Sequence, residues 1–236
     1  MRNWIVWVLS LGAALILFVV LTVFYRQSAP ESSAALATVP VVLKSTGQPM
    51  DFWDTVSQGM RQASREFGVP VQALGPPRER DIDKQLEIMD DVIESDPPLI
   101  ILAASDYNRL AEPVSRAVSL GIPIITLDSG VNSKEPISFV ATDNLEAGRK
   151  AGEEMARLIA DRTNKVVAIV SHIRETATAI DREAGVREAL AGVEIAGTWF
   201  CDVDQLKAYR ITQDLLERRA IGGIVALNEV ATLGVA

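Results

Sequence analysis

Two spacings of apolar residues alternate along most of the chain. Short β-branched runs recur at Val39 to Leu43, Val69 to Leu74, Leu99 to Ala103, Pro123 to Leu127 and Ile137 to Ala141. Between them lie longer stretches whose apolar residues fall every three or four positions, the spacing of one helix face. Val56, Met60, Ala63 and Phe67 predict a helix over 54–67, and Ile82, Leu86, Met89 and Ile93 predict one over 81–95. A third helix is predicted over 108–120, with Gly121 placed to follow its end. The rhythm then restarts. Helices are predicted over 144–162, 181–190 and 205–219, strands over 166–170, 193–198 and 223–227, and a further apolar stretch from Glu229. Strands alternating with helices of this length predict βαβ units and parallel sheets, an α/β fold.

The first 26 residues break this pattern. Trp4 to Tyr25 reads WIVWVLSLGAALILFVVLTVFY and carries no charge. As a helix it would be about 33 Å long, enough for a bilayer core. Trp4 and Trp7 at one end and Phe24 and Tyr25 at the other suit the two interfaces. The run is longer than the roughly 7–15 residues of a signal-peptide core, which favours an uncleaved signal anchor over a cleaved signal. Residues 27–38 are small and polar, as in a linker.

Composition narrows the chemistry. The chain has 236 residues and a net charge of −8. Every acidic residue lies after residue 26, so the body beyond the leader carries −10. That is no nucleic-acid footprint, which needs a basic patch or stripe. One Cys and one His exclude an internal disulfide, a multi-Cys zinc site and a His cluster, so no metal or cofactor is expected. No nucleophile–base pair is visible, which excludes the familiar hydrolase arrangements and leaves a binder rather than an enzyme.

In open α/β sheets, ligands bind beyond the carboxyl ends of the strands. Those ends are polar here. Lys44 to Gln48 follow the first strand, then Asp51, Phe52 and Trp53; Ser105 and Asp106 follow the third; Asp128 to Gly130 follow the fourth. Thr142, Asp143 and Asn144 follow the fifth, Ser171 to Thr178 the sixth, and Asn228 and Glu229 the eighth. Carboxylates and amides beside aromatic rings are the groups that recognise a sugar, with its hydroxyl rim and C–H faces. Each residue also has a plainer reading. Phe52 and Trp53 are core residues or stacking rings. Asp128 is a turn cap or a ligand contact. Asn144 and Asn228 are helix caps or cleft residues. Asp106 reads as a cap, and His172 as a loop or edge residue without a catalytic role.

At these residues the chain resembles the type I periplasmic sugar-binding proteins, over 39–236. Phe52-Trp53 with Gly59, the run Gly121 to Asp128, Thr142-Asp143-Asn144 with Gly148, Arg182 with Gly185, and Asn228-Glu229 with Ala231 and Gly234 follow that family's order. The resemblance implies a two-lobed fold, each lobe a parallel sheet flanked by helices, closing on a small carbohydrate-like ligand. It implies an N-terminal lobe over 39–142 and a C-terminal lobe over 143–236. Asp51, Phe52, Trp53, Asp128, Asn144, Arg182 and Asn228 are the implied ligand-binding residues. Two family arginines are replaced, by Ser129 and Ile180, so Arg174 or Arg182 would have to compensate or the ligand differs. Further strands would follow in the family, so the second lobe is expected to be incomplete. The implied partner is the permease of an ABC sugar importer, or else a receptor histidine kinase served by a membrane-anchored sensor.

Overall fold

The computed structural model describes residues 37–47, 51–218 and 221–236. The apolar leader and nearly all of the linker lie outside the described residues. From Val39 the chain forms two parallel sheets. The first has five strands, β1 (Val39–Val42), β2 (Val71–Leu74), β3 (Ile100–Leu102), β4 (Ile124–Leu127) and β5 (Ser138–Val140), in the order β2-β1-β3-β4-β5. Its helices are α1 (Asp51–Phe67), α2 (Ile82–Glu94) and α3 (Ala111–Ser119). The second sheet has β6 (Val167–Ser171), β7 (Ile195–Phe200) and β8 (Gly223–Ala226), in the order β7-β6-β8. Its helices are α4 (Asn144–Leu158), α5 (Ala177–Ala189), α6 (Gln205–Arg218) and α7 (Glu229–Val235).

Central strands are buried throughout. All four residues of β1 and all five of β6 are buried, which explains their unbroken apolar runs. The first sheet packs Ile100, Leu102 and Ile124 against Met89, Ile93, Val114 and Ala117 from α2 and α3. The second packs Val167 and Ile169 against Val186 and Leu190 of α5 on one face, and Val170 against Leu215 and Ala231 of α6 and α7 on the other. By contrast β5 is an edge strand, exposed at all three residues.

Predicted and observed elements differ mainly at helix starts. α1 begins at Asp51, three residues before the predicted start. α3 begins at Ala111 rather than Asn108, because Asp106 stabilises a separate turn ahead of it. Its Oδ1 accepts from the backbone N–H groups of Asn108 and Arg109, each at 2.8 Å. α5 begins at Ala177, four residues early, where the Thr176 hydroxyl accepts from Ala179 N–H. The early turn was hidden because Ala177, Thr178 and Ala179 are all buried. A helix covered on several sides has no apolar stripe to read. Gly121 does follow α3, at φ +85°.

α4 and α5 pack closely enough to require glycine. A methyl on Gly148 would lie 2.1 Å from the Arg182 carbonyl oxygen, and one on Gly185 would lie 2.0 Å from that of Leu145. This approach brings the start of α5 over the start of α4, and with it Arg182 beside Asn144.

Candidate functional site

The strand orders fix where a site can form. The first sheet reverses direction of growth between β1 and β3, and the second between β6 and β8. Crevices open beyond the carboxyl ends at such switch points. A cavity of 90 Å³ lies there. From the first sheet come Lys44, Phe52, Trp53, Glu79 and Asp128; from the second come His172, Thr178, Arg182, Asn228 and Glu229. Larger surface hollows of 620 and 410 Å³ exist, but none of the sequence-selected ligand residues lines either.

Lys44 and Asp128 form its charged centre. Lys44 follows β1 and is buried, and its Nζ lies 2.8 Å from Asp128 Oδ2. Asp128 follows β4 with φ +61°, a left-handed conformation that Asp tolerates better than most residues. Its N–H donates to the Val140 carbonyl at 2.9 Å, which ties the turn to β5. Gln85 of α2, fully buried, braces the strand ends from below. Its Nε2 donates to the carbonyls of Leu43 and Ala103, and its Oε1 accepts from Ser105 N–H.

The aromatic pair lies between core and cavity. Trp53 is 4% exposed and belongs to the core cluster with Val41, Leu43 and Ala103, yet it also lines the cavity. Its indole N–H donates to Glu79, whose carboxyl is pushed up by burial against the pull of Lys44 and that hydrogen bond. Phe52 is half-exposed and meets Trp53 edge to face, with centroids 4.9 Å apart.

The second sheet contributes a guanidinium. Arg182 donates from Nε to Asn144 Oδ1 at 2.8 Å and from Nη1 to the Leu227 carbonyl at 2.7 Å. Burial lowers its pKa, with Asp128 opposing. Asn144 is buried, also donates to the Thr142 carbonyl, and does not line the cavity; it positions Arg182. The cap of α4 is Asp143, not Asn144. Asn228 does cap α7, its Oδ1 accepting from Ala231 N–H at 2.9 Å, and lines the cavity as well. Asp51 begins α1. Between the two replaced arginines' substitutes, Ser129 is buried, whereas Ile180 is exposed and faces the separate 410 Å³ hollow. Arg174 stacks 4.2 Å over the Phe200 ring, so of the two candidate arginines only Arg182 lines the cavity.

Five cavity residues escaped selection from sequence: Lys44, Glu79, His172, Thr178 and Glu229. Lys44 and His172 each sit one or two residues past a strand, so the rule that selected Asp128 pointed to them too. Glu79 carried no signal, because it lies in a charged stretch, Arg78 to Asp81, that reads as solvated surface.

Parallel strands, a switch-point cavity shared by two sheets, and a lining of rings, carboxylates and amides define a binder of a small polar molecule. The chain belongs to the periplasmic binding protein domain family, whose model matches residues 39–236. It is 29% identical over 219 residues to the D-allose-binding periplasmic protein of Escherichia coli K12, covering 87% of this chain and 68% of that protein. It is 25% identical over 206 residues to the ribose import binding protein of Haemophilus influenzae, covering 86% and 68%. Among solved structures, a carbohydrate transporter solute-binding protein from Agrobacterium radiobacter in complex with D-arabinose superposes with a TM-score of 0.79 at 28% identity. That match covers 86% of this chain and 70% of the other. A sugar transporter from Clostridium phytofermentans gives 0.78 at 28% identity, covering 85% and 74%. By name these relatives are sugar-binding or sugar-transport proteins.

Proposed function

We propose that this chain captures a small carbohydrate outside the cytoplasm and delivers it to the permease of an ABC sugar importer. The carrying observation is the cavity itself, where flat rings, the ion pair of buried Lys44 with part-buried Asp128, and Arg182 converge from both sheets. Curated relatives carry names such as ribose import binding protein, which favours delivery over signalling to a kinase. In this reading residues 39–142 and 143–236 are two lobes that close on the ligand by a hinge motion. At 90 Å³ the cavity is smaller than the roughly 300–1,000 Å³ of ordinary small-molecule sites, so the lobes part to admit a sugar. Phe52, Trp53, Asp128, Arg182 and Asn228 meet the ligand, Asp51 joins them from the start of α1, and Asn144 holds Arg182. Residues 1–26 anchor the chain in the membrane and 27–38 tether the body.

Calorimetric titration of the full chain in detergent with D-allose, D-ribose and D-arabinose tests this reading. At least one sugar gives a binding isotherm. Phe52→Ala weakens it about tenfold or more, the scale set by uncovering an aromatic face worth about 1.5–3 kcal/mol. Its melting temperature stays near that of the parent, because the ring is already half-exposed. Absence of heat with all three sugars refutes the reading.

A further inference from the structure

His172 directly follows β6, the central strand of the second sheet. It is 4% exposed and lines the cavity with Lys44, Asp128 and Arg182. One edge of the imidazole is engaged. Nε2 lies 3.2 Å from the Thr178 hydroxyl and 3.1 Å from that of Thr176. Thr176 in turn donates to the Ile173 carbonyl and accepts from Ala179 N–H. The other edge is not engaged: Nδ1 is buried and has no hydrogen-bond partner among the described residues. Three hydroxyls share that condition, those of Ser105, Ser129 and Ser171. All four atoms sit at or just past the carboxyl ends of β3, β4 and β6, on the edges where the site forms.

A buried unpaired nitrogen forgoes the hydrogen bond it makes with water in the unfolded chain, so this one works against folding. The threonines leave it free to take either role. With the proton on Nε2, the ring donates to Thr178, Thr178 to Thr176 and Thr176 to the Ile173 carbonyl, and Nδ1 is an acceptor. With the proton on Nδ1, Thr178 donates to Nε2 instead, and Nδ1 is a donor. A group that can both give and take meets an alcohol whichever way its hydroxyl points. We infer that His172 is a specificity-determining residue of the site, its Nδ1 meeting a hydroxyl of the bound carbohydrate. This rests on the sugar-binding reading above. Burial, with Lys44 and Arg182 nearby, lowers the imidazole pKa to about 3, so the neutral ring persists across the physiological range.

His172 is the chain's one histidine, so nitrogen NMR of untagged, imidazole-¹⁵N-labelled full chain in detergent reports it alone. On adding D-allose, D-ribose or D-arabinose, whichever binds by calorimetry, the Nδ1 resonance moves, and where the sugar selects one tautomer Nε2 moves in the opposite sense. A sugar that binds by heat yet leaves Nδ1 unmoved overturns this role while the sugar-binding reading stands. No heat with any of the three overturns both. Variants give a second test. Asn places an amide near the position of Nδ1, and Gln places one near Nε2. His172→Gln weakens the sugar about tenfold, whereas His172→Asn stays within about threefold. Equal losses, or the reverse order, overturn the assignment. Should either variant fail to fold, the spectrum of the unmodified chain decides.

Discussion

Lys44 reaches past the end of β3 to meet Asp128, because β3 lies between β1 and β4 in the sheet. Such a pair is held together by the cost of separating it: removing one partner leaves a buried charge, a loss of about 3–5 kcal/mol. His172 is kept neutral in the same surroundings, facing Lys44 and Arg182 with Asp128 and Glu79 across the cavity. Its pKa falls from 6.5 to about 3 on folding, so the unfolded chain binds the extra proton and stability declines as pH falls through that window. The bound is about 5 kcal/mol. Glu79 acts in the opposite sense. Its raised pKa makes it more stabilising in acid and less so once pH exceeds its folded value. Thermal melts from pH 7 to pH 3 show a declining midpoint, and His172→Asn flattens the decline below pH 6.5. At this scale the sequence was readable where a residue followed a strand, as with Asp128 and Asn228. It was unreadable for Glu79 and Gln85, which only tertiary contacts bring to the site.

Helix pairs set the geometry that these residues need. Gly148 and Gly185 stood out in the sequence only as spacing within family motifs; their physical reason is the backbone contact between α4 and α5. Gly148→Ala forces a methyl into the Arg182 carbonyl, and overpacking against backbone costs about 2–3 kcal/mol. The expected fall in melting temperature is about 5–10 °C. The double variant with Gly185→Ala is less than additive, since the two glycines serve one interface. Gly59 is the internal control. It lies in the exposed middle of α1 with nothing within 4 Å of an added methyl. Gly59→Ala therefore stabilises by about 0.5–1 kcal/mol, the gain from replacing a mid-helix glycine. Strand positions were the most legible elements, because burial on both faces leaves an apolar run. The start of α5 was not, because burial on several sides removes the stripe.

For the whole molecule, the alternation of strands and helices was sufficient to predict parallel sheets, but it did not give their strand order. That order follows from pairing across the sheet, and it is what brings Lys44 and His172 to one cavity. The anchor proposed for residues 1–26 belongs at this scale too. Expressed in bacteria, the full chain sediments with membranes and resists carbonate extraction, and a version beginning at residue 37 is released. Recovery of the full chain in the soluble periplasmic fraction refutes the anchor.

The single cysteine, Cys201, lies just past β7, fully buried. Its N–H donates to the Ser171 carbonyl, while that of its neighbour Asp202 donates to the His172 carbonyl. Burial also raises the thiol pKa, which keeps it slow to react. Nature has thus left one silent thiol beside the site. The rate at which a reagent finds it is a clock for local opening of this lobe, readable without engineering a probe.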